Sequence, residues 1–403
     1  MNDPVGQTIR HAGRDALAVA LQASRSETLA TFGAYEAALA EQRLRVPCTP
    51  ELNLPLWELG HVGWFQEWWI ARNPQRRCGL AADPDAPRTD GVRQGADALY
   101  NSSQVAHASR WQLDLPDPGA TRDDLARQLQ LTLALLAGSD DTDSALYFFR
   151  LALLHEDMHH EAAVYMAQTL GFELPGGRWL PHNDDGPRDP LRISAGRHRL
   201  GSGDAGFSFD NELGSHAIEL AAYDIDRRAL RWDEFLPFIE AGGYADSRLW
   251  SQAGWRWCQA QGRRAPLDLK PGNGGWQQRR GARWLPLNPA APASHLSFFE
   301  ADAWCRWAGR RLPAEAEWER AAVAGGEAFS WGQVWEWTAS PFAPYPGFVA
   351  HPYRDYSAPW FDGRPVLRGA SSATQPRMRH PRYRNYFPPE RNDVLAGFRS
   401  CAL

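Results

Sequence analysis

Apolar residues recur every three or four positions over 8–41, and again over 52–72, where Trp57, His61, Trp64, Phe65 and Trp68 follow that spacing. Each run predicts an amphipathic helix. A stretch rich in Pro, Asp and Gly over 73–119 predicts a long connection. Thr121-Arg122-Asp123-Asp124 has the form of a capping box, and Leu125, Leu129, Leu133 and Leu136 follow it as a stripe. A fourth helix is predicted to start near Asp143 and to stop at Gly171. Four helices with one long connection make a bundle, a fold whose metal sites are built in the core from facing helices.

After Pro181 the pattern changes. Helical periodicity mostly disappears, Gly, Pro, Trp and Arg rise, and short β-like runs such as His216–Leu220 emerge. Two helices are predicted here, over 232–241 and 298–308, in an otherwise irregular α+β region. A multidomain α and α+β protein is therefore expected, with a helical domain at 1–182, a second domain at 190–403, and the boundary within 181–190. No internal repeat or low-complexity tract is visible.

Composition narrows the partners. A formal charge of -5 and a pI near 6.2 give no footprint for nucleic acid or an acidic membrane. Five cysteines, odd in number, far apart and without a CxxC pair, fit a reduced, cytoplasmic protein better than a disulfide scaffold. Met1-Asn2-Asp3-Pro4 opens no apolar leader, and no run approaches the roughly 20 apolar residues of a membrane span. Nineteen tryptophans, many close to the chemistry-bearing motifs, are the one unusual number.

The fourth predicted helix carries Leu153-Leu154-His155-Glu156-Asp157-Met158-His159-His160-Glu161. Residues four apart share a helix face, so His155 and His159 can address one ion. His61, on the second helix, supplies a third imidazole. Three neutral nitrogens with other positions open suit a catalytic metal, either zinc or an oxygen-activating iron(II). Glu161 lies about 200° around the helix from His159, which makes it a hydrogen-bonding residue rather than a ligand. His160 and His107 read as surface or local hydrogen-bonding residues.

In the second half, Gly309-Arg310-Arg311-Leu312-Pro313-Ala314-Glu315-Ala316-Glu317-Trp318-Glu319, Val334-Trp335-Glu336-Trp337-Thr338, Leu367-Arg368-Gly369-Ala370-Ser371 and Gly397-Phe398-Arg399 are specific strings. Together they resemble the formylglycine-generating-enzyme-type, C-type-lectin-like fold. The helical half, with His-x3-His-x-Glu, resembles a DinB-like four-helix bundle. This pairing, in this order, is similar over nearly the whole chain to the ergothioneine-pathway sulfoxide synthases. Those are non-heme iron enzymes that use O2 to join a sulfur compound to carbon 2 of the imidazole of hercynine. Between Trp331 and Trp335 this chain is shorter than that family.

The resemblance implies Fe(II) at His61, His155 and His159. It also draws attention to Tyr353-Arg354-Asp355-Tyr356-Ser357, in which Tyr353 would give a proton beside the metal and Tyr356 would help hold substrate. In Tyr383-Arg384-Asn385-Tyr386-Phe387, Asn385 would hydrogen-bond hercynine, and Tyr386 would offer a ring to its trimethylammonium group. Phe387 stands where the family uses Asp to hold the amino group of γ-glutamylcysteine. The segment from Tyr100 to Trp111 lacks the family's donor-gripping arginine loop and is rich in hydroxyls and amides. Both departures resemble the selenoneine-synthase branch, which couples hercynine to a selenosugar. The rival readings are a sulfoxide synthase using cysteine or γ-glutamylcysteine, a zinc-dependent DinB-type thiol transferase, and a non-catalytic binding module. Formylglycine generation is not expected, because Cys258, Cys305 and Cys401 form no close pair. A monomer is expected.

Overall fold

A computed structural model describes residues 8–176 and 181–403. The Met1–Pro4 start, on which the absence of a leader was argued, lies outside the described residues. Helices dominate as far as Leu170: α1 (Arg14–Ala38), α2 (Pro55–Trp69), the short α3 (Ala96–Tyr100), α4 (Pro118–Ala137) and α5 (Asp143–Leu170). The long α1, α2, α4 and α5 pack on one another as a bundle.

Local chemistry sets the helix ends. Helix α1 starts later than periodicity predicts, because Gly13 is extended and the Arg14 amide donates to Asp141 at 2.8 Å. Helix α2 waits for Pro55, whose missing N–H costs nothing in a first turn. The expected cap of α4 is corrected: Asp117, not Thr121, accepts the Ala120 amide, and Pro118 opens the helix. Thr121 lies inside the first turn, its hydroxyl donating to the Asp117 carbonyl at 2.9 Å. Asp124 is taken up instead by Arg93 and Arg127. Thr142 caps α5 and Gly171 ends it at φ +86, a conformation that favours glycine. Residues 145–157 of α5 are all buried, which makes it the central helix of the molecule.

The second half holds α6 (Trp232–Glu240), α7 (Gln252–Ala260), α8 (Phe298–Trp307) and α9 (Glu315–Ala324). The first and third match the predicted helices to within a residue. Helices α7 and α9 were not predicted; each begins on a polar contact, Ser251 accepting the Gly254 amide and Glu317 accepting the Ala314 amide. One four-stranded sheet orders Pro190–Ile193, Tyr223–Asp226, Cys401–Ala402 and Arg310–Arg311. A second orders Asn385–Tyr386, Pro365–Gly369, Trp335–Pro341 and Ala396–Gly397. The strand predicted at His216–Leu220 pairs with Gly196–Leu200. Three further strands, Leu269–Gly272, Gly275–Arg280 and Arg283–Pro286, form a meander.

The core of this half mixes tryptophan with ion pairs. Trp318, Trp335 and Trp337 are fully buried beside the equally buried Arg368, Arg384 and Arg399. These guanidiniums pair with Glu319, Glu315 and Glu336 respectively. Helix α5 also forms the seam between the halves. Glu161 accepts from Trp335, Ser371 and Thr374, and Asp157 pairs with Arg377 at 2.6 Å. Among the described residues, no helix is long and apolar enough to cross a membrane.

Candidate metal centre

The structure brings His61, His155 and His159 together: one ring nitrogen from each lies within 4.8 Å of the other two. Each ring is held by a different device. His61 stacks on Trp57 one turn earlier, ring centres 4.6 Å apart, and its Nδ1–H donates to the Tyr100 carbonyl at 2.8 Å. His159 donates Nδ1–H to the Glu58 carboxylate. His155 lies flat against Phe65, ring centres 3.5 Å apart. Occupied Nδ1 atoms leave the Nε2 lone pairs of His61 and His159 free to ligate, the tautomer in which metal-bound imidazoles are usually held.

Electrostatics agrees with that assignment. Burial, helped by His159, pushes His61 down to about 3, and burial also lowers His155. Both rings are therefore neutral at ordinary pH. Burial alone would raise Glu58, but the adjacent His159 draws it down to about 2. Nε2 of His155 and Nε2 of His159 lie 3.4 Å apart. Two facing lone pairs repel unless a cation or proton lies between them, and His155 Nδ1 is buried with no hydrogen-bond partner among the described residues. Three convergent imidazoles, two of them kept neutral by burial and the third backed by the Glu58 carboxylate, fit a divalent metal ion.

Around this face runs an aromatic wall. The Tyr353 ring stands 4.9 Å from Phe65 and 6.1 Å from His155. Burial, with Asp355 adding to it, raises its phenol above the ordinary range, so it stays protonated. The loop bearing it is pinned from both halves. Arg354 pairs with Asp85, Ser103 donates to Asp355, Ser357 donates to Asp210, and the Tyr147 hydroxyl meets His351 Nδ1 at 2.9 Å. Tyr356 is one ring further out, 6.0 Å from Tyr353, with its hydroxyl 3.0 Å from that of Tyr383.

The remaining expected residues sit further away. Tyr386 stacks on Phe342 and donates its hydroxyl to the Tyr356 carbonyl. Asn385 uses its side-chain oxygen on the Tyr386 amide at 2.8 Å. Phe387 lines a cleft of about 460 Å3 with Trp360 and Tyr386, under the Arg391 guanidinium. Among the described residues, no hydrogen bond or ring contact joins Asn385, Tyr386 or Phe387 to the three imidazoles. A separate cleft of about 320 Å3 runs from Trp64, Phe65 and Trp68 past Asn101, Ser102, Ser103 and Gln104 to Tyr353.

Sequence reasoning missed Glu58, Phe65 as the plate under His155, and the Tyr100 carbonyl. Glu58 was within reach, since Glu-x2-His places its carboxylate on the His61 face of α2. His160 is corrected: it is buried against α1, its Nε2–H donating to the Ser24 carbonyl at 3.1 Å. His107 is half-buried and meets the Leu52 carbonyl at 2.8 Å. Glu161 has the hydrogen-bonding role expected of it, directed into the second half rather than towards the metal face.

Residues 181–334 match the family model for a sulfatase-modifying factor enzyme 1-like domain. Hercynine oxygenase of Mycobacterium tuberculosis is 30% identical over 406 residues, covering 87% of this chain and 91% of that protein. The chain belongs to the hercynine oxygenase family. The Mycolicibacterium smegmatis member of that family is 31% identical over 444 residues, covering 96% of this chain and 98% of its own length. Formylglycine-generating enzyme of Streptomyces coelicolor is 32% identical over 159 residues, which are 36% of this chain and 51% of that enzyme. Membership of the hercynine oxygenase family makes this protein an enzyme, an oxidoreductase.

Proposed function

We propose that the protein is an Fe(II)- and O2-dependent enzyme joining a chalcogen donor to the imidazole of hercynine, with a selenosugar as donor and selenoneine-type chemistry as the outcome. The observation that carries the reading is the three-imidazole face with a protonated phenol, Tyr353, poised beside it. His61, His155 and His159 hold the metal, which when bound supplies O2 activation at its open positions. Tyr353 holds a proton at its hydroxyl for delivery towards that face. Tyr356 shapes the wall behind it. Asn385 and Tyr386 recognise the betaine, a quaternary ammonium being suited to an aromatic face and not to a hydrogen bond. Holding donor and imidazole side by side converts an encounter in solution into a local one.

Phe387 supports the selenosugar. An aromatic ring cannot give the ammonium of a thiol amino acid the hydrogen-bonded ion pair that a carboxylate gives, whereas the hydroxyls and amides of Asn101, Ser102, Ser103 and Gln104 suit a sugar. The hercynine oxygenase names of the relatives favour a second reading, a sulfoxide synthase that takes cysteine or γ-glutamylcysteine. We further assign 1–182 to a DinB-like bundle domain and 190–403 to a formylglycine-generating-enzyme-like domain, in a cytoplasmic monomer.

Product mass decides between the readings. Enzyme loaded with Fe(II) is given hercynine, air and, in separate reactions, a selenosugar, cysteine and γ-glutamylcysteine. The selenosugar is expected to give the dominant hercynine adduct. Dominant adducts with either thiol would replace selenium by sulfur, and turnover with zinc in the absence of O2 would remove the oxygenase reading altogether.

A further inference from the structure

On the far side of α5 from the imidazoles, between that helix and the second half, lies a cavity of about 250 Å3. Its floor is apolar, built from Val164, Phe172, Leu174 and Leu395. Two polar groups that have no partner among the described residues line it. The Trp232 indole N–H is buried, the residue 1% exposed, and has no hydrogen-bond acceptor. His295 is 6% exposed, and its Nδ1 is likewise unpartnered. A buried polar group left without a partner forfeits its hydration with nothing in return, so two in one cavity call for an occupant. His295 also sits at φ +58, a left-handed backbone that a non-glycine residue rarely adopts outside turns and ligand clamps.

The charges in this cavity are uneven. Arg279 pairs with Asp268, and Glu173 pairs with Arg283. Arg280, half-buried on the same wall, has no ion-pair partner among the described residues. An indole N–H only donates, so the occupant must offer an acceptor there. One uncompensated guanidinium asks for one negative charge, and the apolar floor asks for a hydrocarbon body. We propose that this cavity is a second ligand site, separate from the His61–His155–His159 face, for a small carboxylate with an apolar body. Its carboxylate takes the Trp232 N–H, His295 and Arg280, and its body lies on Val164, Phe172 and Leu174.

Benzoate is the probe, with benzyl alcohol as its neutral counterpart, followed by saturation-transfer NMR and thermal unfolding of the full chain. Saturable benzoate binding that raises Tm is expected, with benzyl alcohol at least tenfold weaker. Arg280→Gln or His295→Asn should weaken benzoate at least tenfold; asparagine tolerates the left-handed backbone, and Arg280 is not in the core. Tyr353→Phe should leave benzoate binding unchanged. Absence of saturable benzoate binding would mean that water satisfies both orphaned groups, and the proposal fails. It fails equally if benzyl alcohol binds as well, if neither variant matters, or if hercynine displaces benzoate and so places it in the metal cleft.

Discussion

Tyr353 and Glu319, both in the second half, show how differently one side chain can matter. Tyr353→Phe keeps the ring that packs on Phe65 and removes only the hydroxyl. General-acid groups typically contribute 10²–10⁴ to rate. Turnover should fall by roughly that factor, with the KM for hercynine little changed, as steady-state kinetics would record. An unaltered kcat would remove Tyr353 from the chemistry. Glu319 does no chemistry: it is fully buried, takes the Arg368 guanidinium, and accepts the Gly201 amide at 3.0 Å. Burial alone would raise its carboxyl, but Arg368 first, then His198, hold it below the ordinary range. A carboxylate depressed by folding stabilises fully above its unfolded value, near ~4.3, and loses that contribution as pH falls through its folded value. Glu319→Gln leaves the buried Arg368 only the more distant Glu315, 3.4 Å away, as an ion-pair partner, which should cost about 3 kcal/mol at pH 7. Urea unfolding of both proteins should show the gap narrowing below about pH 4; a gap that is constant from pH 7 to pH 3 would contradict this assignment.

At the scale of elements, α2 carries glycine where a helix would normally avoid it. A β-carbon on Gly60 would lie 2.2 Å from the Tyr100 ring, so α2 and α3 touch only because Gly60 has none. That contact puts the Tyr100 carbonyl on His61. Gly60→Ala should push α3 away and lower metal affinity about 10–100-fold, the usual penalty for losing the group that orients a ligand. Gly33 in α1 is the control, since nothing lies within 4 Å of its β-carbon. Gly33→Ala should leave metal affinity alone and stabilise by up to about 1 kcal/mol, the ordinary helix preference for alanine. Metal titration and urea unfolding of the pair would check both signs. The long helices were legible because apolar residues recur in them every three or four positions; α2, expected to be amphipathic, is instead buried on nearly all sides, since it is enclosed by its neighbours in the bundle. The His155–His159 pair was legible from its spacing, and His61 from its place in an aromatic helix. The second half was not legible as elements. Its strands run as short as two residues, and its interior is built partly from arginine and glutamate, as with Arg399 and Glu336, so no alternating apolar pattern marks them. Tertiary packing also decided what spacing had left open, including the sequestration of His160 against α1 and the separation of Asn385 from the imidazoles.

At the scale of the whole molecule, the two halves close on a single helix, α5, which predicts that they unfold as one body. Within seven residues of α5, His155 and His159 face the proposed metal site, Asp157 takes Arg377, and Glu161 takes three donors from the second half. The imidazoles of the proposed site and the seam contacts therefore alternate along one helix, so that loosening the imidazole face would disturb the seam. Arg10 adds a second clasp, its guanidinium pairing with the fully buried Glu212. Unfolding the second half would take Arg377 from Asp157 and three donors from Glu161, and unfolding the first would take Arg10 from Glu212. Anaerobic calorimetry should then give a single transition. Adding Fe(II) at a hundred times its Kd should stabilise that one transition by about 2.7 kcal/mol, the linkage value for a ligand bound only by the folded state. Loss of His155 by substitution to Ala should abolish the shift while the transition remains single. Two transitions, with only the lower or upper one moving on addition of metal, would instead mean that α5 belongs to the bundle alone and that the seam is a contact between independent units.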